Sequence, residues 1–411
     1  MGCDPAPALD LFCPVGDSWR GAAVGTCGIS RPSGGGMQKV EIDILRVAGE
    51  MGIAVEAGPD GRIVGVELRP CPPVRGFETL VKGRGFAFAV PAVMRICGVC
   101  HAVQGAAMCE AIEGALGIRP PREGLLLREA CVLANRLQSH FFQHFLVIPD
   151  LTTGRAMEEL QRDALNGLDK ASALLQIFGG TGTHPMHLAV GGMARRLSPE
   201  ALKKAEEVLA EIQALVDSFA GRFEASLEGS PTARELAGIP FPAPYLATDP
   251  FYGNPSRINP DLIGIQEPSG NALPVLYAGH PVEAGPRARL AKFFGFDDVS
   301  LLGVQLARLR ELPLTVGRLR EILQEIDPDA PVRLAEIPLR AGEGVGVVEA
   351  PRGTLVHLVE LDEDGNILDL KIFTPTQFNL AVLREGLLGA PAEVAEVAVR
   401  VYDPCIPCVV H

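Results

Sequence analysis

What the chain has little of narrows the field first. Basic residues are short, 37 Lys and Arg against 50 Asp and Glu, for a formal net charge of −13. They cluster no further than pairs such as Arg195-Arg196 and Lys203-Lys204, so there is no phosphate-tracking patch and no nucleic-acid partner is expected. No run of about 18 uninterrupted apolar residues occurs, which argues against a direct membrane span. The N-terminus also lacks the basic-then-apolar order of a secretory leader, so the expected location is cytoplasmic. No polar linker divides the chain and no internal period recurs. With 47% hydrophobic residues over 411 positions, there is enough chain for a large core.

Cysteine, by contrast, is plentiful: Cys3, Cys13, Cys27, Cys71, Cys97, Cys100, Cys109, Cys131, Cys405 and Cys408. Two pairs have CxxC spacing. In a reducing compartment such pairs read as metal ligands or redox dithiols rather than disulfides. The first lies in Met94-Arg95-Ile96-Cys97-Gly98-Val99-Cys100-His101 and the second in Tyr402-Asp403-Pro404-Cys405-Ile406-Pro407-Cys408. Only the tertiary fold can bring them together.

The pattern around them predicts an α+β protein, predominantly helical. Residues 1–40 are rich in Gly and Pro and read as an N-terminal extension, with 41–411 as a single large domain. Apolar residues recur at spacings of three and four over 123–145, 156–177 and 199–226, predicting a central bundle of long helices. Ser198-Pro199 supplies an N-cap with Pro in the first turn, and Gly179-Gly180 a stop. Short apolar stretches flank Pro59-Asp60-Gly61 near one end and Asp364-Gly365 near the other, predicting a β-hairpin at each. Cys109 and Cys131 fall on helical stretches and read as core.

Four thiolates suit a soft metal, and softness alone leaves zinc, an iron–sulfur cluster, or nickel with iron. A structural four-cysteine zinc site in a scaffold without chemistry is the plain alternative. Against it, zinc ribbons are short modules, whereas these pairs bracket an entire helical domain.

At these residues the chain resembles the large subunits of nickel-iron hydrogenases. The segments RICGVC at 95–100 and DPCIPCVVH at 403–411 resemble that family's paired signatures. Before and between them, and in the family's order, stand Arg75-Gly76-Phe77-Glu78, His140 and His144 before Pro149-Asp150, Gly179-Gly180 with His184-Pro185, Glu283-Ala284-Gly285-Pro286, Glu349-Ala350-Pro351-Arg352-Gly353, and Pro375-Thr376 with Asn379. The likeness runs over roughly residues 44–411, and eight ordered motifs are jointly specific where each alone is weak.

The resemblance implies the large-subunit fold and a catalytic role in reversible, heterolytic cleavage of dihydrogen. Cys97, Cys100, Cys405 and Cys408 would bind nickel, and Cys100 and Cys408 would also bridge to an iron carrying carbon monoxide and cyanide. Pro351, Arg352, Pro375 and Thr376 match the positions that surround those diatomics, with Asp403 holding Arg352. Glu78 and His411 match the side-chain ligands of a magnesium ion, Mg(2+), a hard cation suited to oxygen and one imidazole. His140 and His144 would pack nearby without ligating. The family implies a small subunit carrying iron–sulfur clusters, a further electron-acceptor subunit such as a deazaflavin- or nicotinamide-linked one, metal-insertion proteins, and a maturation protease that cuts where this chain ends, after His411.

Two positions depart from the family's pattern. Ala48 stands where a proton-relaying Glu is usual, and alanine carries no proton, so Glu50 or water would have to serve. Gln104 stands where His is usual, and it can donate a hydrogen bond to a cysteine sulfur but cannot titrate. Both changes keep open a slower, hydrogen-sensing or regulatory homologue with the same metal site. Cys3, Cys13 and Cys27 are too widely spaced for a four-thiolate cluster unless Cys71 or a partner adds the fourth ligand.

Overall fold

The structure, a computed structural model, describes residues 38–266 and 273–411. The extension's first 37 residues, with Cys3, Cys13 and Cys27, lie outside them, and the strand Gln38–Ile44 takes residues 38–40 of the predicted extension into a sheet.

Four long helices, Arg122–Leu151, Gly154–Gly179, Pro199–Leu227 and Leu301–Glu325, close into a ring in which each packs on the next and the last returns to the first. The first three run a few residues beyond their predicted ends. Their boundaries follow the expected chemistry: the Ser198 side chain accepts from the Ala201 N–H at 3.2 Å with Pro199 behind it, and Gly180 closes its helix at φ 85°. Phe141, Phe178, Phe219 and Phe223 fill the interior, with Phe219 stacked on Phe223 at 5.9 Å and edge-on to Phe141 at 6.1 Å. The helix Leu301–Glu325 has no counterpart in the sequence expectations. Gly303, Pro313 and Gly317 interrupt it, and its buried face mixes Gln305, Arg308, Glu311 and Thr315 with leucines, so it carries no clean apolar stripe.

Each predicted hairpin belongs to a three-stranded antiparallel sheet. The first orders Gln38–Ile44, Met51–Ala57 and Ile63–Pro70; the second orders Gly342–Ala350, Gly353–Leu361 and Ile367–Phe373. The strand Gly342–Ala350 escapes a propensity reading because glycine is a poor strand former. Its glycines alternate, so with period two they share one face. That face lies against the helix His101–Leu116, which follows the first cysteine pair and is made largely of Ala and Gly. A Cβ on Gly344 would sit 1.9 Å from the Ala111 carbonyl oxygen, and one on Gly346 1.9 Å from that of Ala107. Helix and strand thus touch backbone to backbone, and that contact seats Cys100 at the helix N-terminus.

The chain's end returns to its beginning. Ile406 N–H donates to the Ala48 carbonyl at 2.8 Å, Arg75 N–H to the Val410 carbonyl at 2.9 Å, and Gly76 N–H to the His411 carbonyl at 2.6 Å. The final residues are buried, His411 included.

Gly346→Ala should lose about 3 kcal/mol of stability through overpacking against a backbone that cannot yield. Gly317→Ala, in a helix where the added Cβ meets nothing within 4 Å, should gain about 0.5–1 kcal/mol. Thermal unfolding of both variants beside the parent chain checks the pair.

Candidate metal centre

Cys97 follows the helix Phe86–Met94 and Cys100 caps the helix His101–Leu116. Cys405 caps the short helix Ile406–Val409, and Cys408 lies within it. Although more than 300 residues separate the pairs, Arg75 ties them together, donating to the carbonyls of Ile96 at 2.6 Å and of Pro407. The four sulfurs lie within 4.8 Å of one another, and all four residues are buried. Cys97 Sγ to Cys405 Sγ and Cys100 Sγ to Cys408 Sγ are each 3.2 Å, and Cys405 Sγ to Cys408 Sγ is 2.8 Å. A disulfide would need about 2.05 Å, so these are four free thiols aimed at one point.

Their electrostatics state what such a cluster lacks. Hydrogen bonds from the thiols of Cys100, Cys405 and Cys408 hold the Cys97 thiol well below its ordinary range, with Arg352 assisting. The Val99 and Cys100 N–H groups also point at that sulfur, at 3.2 and 3.3 Å. Cys100 is pushed up by its bonds to the neighbouring sulfurs and by burial, and Cys408 by burial first. The Cys97 thiolate is supported, while Cys100 and Cys408 are held protonated until a cation compensates them. A bound soft metal ion supplies that compensation, so the donor set fits one.

Beside the sulfurs lies a small cavity of about 10 Å³. Cys100, Cys405 and Cys408 form one wall, Val103, Ala350 and Leu355 make others apolar, and Gln104, Arg352, Pro375 and Thr376 bring the polar atoms. Pro375 and Thr376 open the helix Pro375–Gly386, whose N-terminus carries a capping box from Thr374 and Gln377. The cavity therefore faces the positive end of a helix dipole. Thr376 Oγ1 accepts from the Cys405 N–H at 3.2 Å, which leaves its hydroxyl proton to donate elsewhere.

Arg352 donates from Nε to the Asp403 carbonyl at 2.7 Å and from Nη2 to Asp403 Oδ1 at 2.8 Å. Asp403 itself has φ 56°, a left-handed turn between the helix Ala395–Tyr402 and the cysteines. Burial opposes the Arg352 charge, but Asp403 and the cysteines outweigh it and hold the guanidinium above its usual pKa. The segment that delivers Arg352 is fixed carbonyl by carbonyl. Glu349 O accepts from Arg136 at 2.8 Å, Ala350 O and Pro351 O from Arg289 at 2.9 and 3.2 Å, and Arg352 O from Asn379 at 3.1 Å. Pro351 is placed in that frame, while its neighbours Ala350 and Arg352 line the cavity.

A second polar group lies at the terminus. His411 Nε2 is 2.9 Å from Glu78 Oε1 and 3.2 Å from the Ile372 carbonyl, and its Nδ1 is 2.7 Å from the Cys408 carbonyl. Burial would raise the Glu78 carboxyl, but the bond and charge of His411 bring it below its ordinary value. The Ile372 carbonyl, being backbone, gave no sequence signal. Arg308, with Nη2 3.8 Å from Asp403 Oδ2, was also missed, since its helix was.

His140 and His144 do not join the sulfurs. His140 Nε2 meets Glu311 Oε2 at 2.7 Å, and His144 Nδ1 meets Gln305 Nε2 at 2.7 Å. His101 turns away to the His184 ring, 5.1 Å distant. Ala48 sits against Cys405 in an isolated parallel bridge, and Glu50 is exposed. Cys109 and Cys131 are fully buried and Cys71 half-buried; among the described residues only Cys97, Cys100, Cys405 and Cys408 converge as candidate metal ligands.

Four buried thiols within 4.8 Å of one another, with a charged guanidinium beside them, make a candidate thiolate metal site. Residues 75–151 match the family described as nickel-dependent hydrogenase. The alpha subunit of coenzyme F420 hydrogenase from Methanocaldococcus jannaschii is 36% identical over 82% of this chain and 85% of its own. The corresponding subunit from Methanothermobacter thermautotrophicus is 31% identical over 89% and 93%, and the sulfhydrogenase 2 alpha subunit of Pyrococcus furiosus 30% over 82% and 90%. Among solved structures, the nickel-iron-selenium hydrogenase of D. vulgaris Hildenborough superposes with a TM-score of 0.80 at 21% identity, over 92% of this chain and 100% of that one. The chain belongs to the nickel-dependent hydrogenases, as a large (alpha) subunit, and is an oxidoreductase acting on dihydrogen. No helix among the described residues is long and apolar enough to cross a membrane.

Asp403→Asn keeps a residue that accepts the left-handed turn but leaves Arg352 and Arg308 facing a neutral amide. A loss of about 3 kcal/mol is expected, read as a lower urea midpoint. Burial holds the pKa of His140 down to about 4. An unfolded histidine titrates near 6.5, so the unfolded state binds more protons and His140 costs stability as pH falls from 6.5 to about 4, at up to about 1.4 kcal/mol per pH unit. His140→Gln should flatten the acid limb of a stability–pH curve across that window.

Proposed function

We propose that Cys97, Cys100, Cys405 and Cys408 hold nickel, that Cys100 and Cys408 also bridge it to an iron bearing carbon monoxide and cyanide, and that the chain cleaves dihydrogen reversibly at that pair. The observation that carries this is the convergence of the four buried sulfurs within 4.8 Å in a chain of this family. Once bound, the metals would supply thiolate-stabilised redox chemistry and Lewis acidity for heterolytic cleavage of dihydrogen.

The chain's own groups do the rest. Arg352 presents guanidinium donors to the cavity, and Asp403 holds them there. Pro351 fixes the backbone ahead of Arg352. The Thr376 hydroxyl and the first turn behind Pro375 offer donors and a positive dipole, suited to anionic cyanide. Val103, Ala350 and Leu355 make the remaining walls apolar. Glu78, His411 and the Ile372 carbonyl present three donors to a magnesium ion beside the terminus.

Electrons leave through a partner. The relatives are named as alpha subunits, which supports a small subunit with iron–sulfur clusters and a further acceptor subunit; the F420 hydrogenases among them favour a deazaflavin-linked acceptor in the cytoplasm. Assembly requires metal-insertion proteins and a maturation protease. A hydrogen-sensing homologue with the same metals is the second reading, favoured by Ala48 against Cys405 and Gln104 at the cavity wall, neither of which titrates. It is separated by turnover: without a positioned acid–base group, the rate should fall about 10²-fold or more below that of a hydrogen-oxidising enzyme.

The infrared spectrum of the purified complex should show carbonyl and cyanide stretches where protein is silent, with one nickel per chain. Cys408→Ser should lose both, whereas Cys131→Ser, buried but outside the cluster, should keep both. One zinc per chain with a silent spectrum would overturn the assignment.

A further inference from the structure

Gln104 lines the cavity together with Cys100, Cys405 and Cys408, one turn into the helix that Cys100 caps. Its carboxamide has one acceptor end and one donor end, and the two would act oppositely on thiolate sulfur. Which end faces the cavity is decided by what lies behind it. There the imidazole of His357, on the strand Gly353–Leu361, places Nε2 at 2.9 Å from Gln104 Oε1. His357 is fully buried, and its register partner on the neighbouring strand is Gly346, one of the glycines that let helix and strand touch. Its Nδ1 has no hydrogen-bond partner among the described residues.

We propose that His357 is a positioning residue for the metal site: by donating its Nε2–H to Gln104 Oε1 it turns the Gln104 amide nitrogen to the side of the cavity that Cys100, Cys405 and Cys408 line, where it would offer a hydrogen-bond donor to their thiolates once metal is bound. The inference rests on the metal assignment above. An amide's two ends are distinguished by their hydrogen-bond partners. An amide oxygen facing metal-bound thiolates would meet like partial charge, whereas the NH2 group donates to it. Burial keeps the imidazole neutral, its pKa held down to about 3, so one ring nitrogen carries a proton and the other does not. The bond to an amide oxygen places that proton on Nε2 and leaves the unpartnered Nδ1 as the bare lone pair. A free glutamine would sample both orientations, so the buried imidazole fixes one of them.

The test uses the assembled hydrogenase complex and the infrared bands of the iron-bound carbon monoxide. A donor on a cysteine sulfur withdraws electron density from the metals, so losing it strengthens back-donation and lowers the carbonyl frequency. Gln104→Leu and His357→Leu should both shift the band to lower wavenumber. The double variant should shift it no further than Gln104→Leu alone, since the histidine acts only through the glutamine. His357→Gln, which can donate to the same oxygen, should return the band toward its parental position. Should His357→Leu not accumulate, His357→Phe fills the ring's volume without its N–H and carries the same expectation. A His357→Leu band at the parental position beside a displaced Gln104→Leu band overturns the proposal and leaves the metal assignment standing. A parental complex without bands overturns the metal assignment itself, and the proposal with it.

Discussion

Four thiols in a closed, largely apolar pocket cannot all ionise unless a cation shares the space. That constraint organises this protein. The helix end at Cys100, the capped turn at Cys405, the guanidinium of Arg352 and the donors from Val99 and Cys100 N–H each favour negative charge on sulfur. Burial opposes it: the Cys97 thiol is brought well down, while those of Cys100 and Cys408 are pushed up. The pocket thus favours a bound cation, and metal affinity is coupled to the fold that gathers the cysteines. The buried C-terminal residues agree with this, since backbone bonds from Ile406, Gly76 and Arg75 close the segment over the same cluster.

Around the cluster, stability and specificity part company. Arg128, Arg136, Arg287, Arg289 and Arg308 are all fully buried. Glu113 takes Arg128 through two bonds of 2.7 Å, Glu311 takes Arg289 at 2.5 and 2.9 Å, and Glu349 accepts from the backbone and side chain of Thr248 and from Thr354. Such pairs add little net stability over apolar packing, because desolvating the charges offsets most of the attraction. What they contribute is position. Rigid guanidinium forks fix the carbonyls of residues 349 to 351, and a cavity wall made from that segment has little freedom to move.

Much of this was legible in the chain itself, for reasons that differ by element. The long helices announce themselves because one face of each is apolar at helical spacing, and the hairpins because Asp-Gly demands a particular turn. The metal cysteines stand out by spacing and by chemistry. Elements whose burial rests on backbone contact or buried charge gave no such signal: the glycine-alternating strand Gly342–Ala350, the polar-cored helix Leu301–Glu325, and with them Arg308 and the register that brings His357 to Gln104. A glycine that reads as a weak strand former is here what allows a strand to meet a helix, and this is a property of the pair, not of either segment. The Ile372 carbonyl beside Glu78 and His411 is invisible to any side-chain pattern.

The immediate surroundings of the cluster hold charge firmly and move protons poorly. Arg352 is kept charged by Asp403 and the sulfurs, Gln104 cannot titrate, Ala48 brings no carboxylate to Cys405, and His357 is held neutral by burial. Those are the properties of a site that fixes ligand orientation and metal potential rather than one that shuttles protons through its nearest side chains. A proton released at the cysteines must therefore travel by a group that can both accept and donate: a sulfur itself, the Thr376 hydroxyl, whose oxygen already accepts from Cys405 N–H, or water admitted to the cavity. The hydroxyl and water are weaker relays than a carboxylate near neutral pH, because their protonation states lie farther from the working range. On the proposed assignment, retention of the metals and delivery of the proton are accordingly separable demands, the first falling to residues that the fold locks and the second to whatever hydroxyl or water the cavity accommodates.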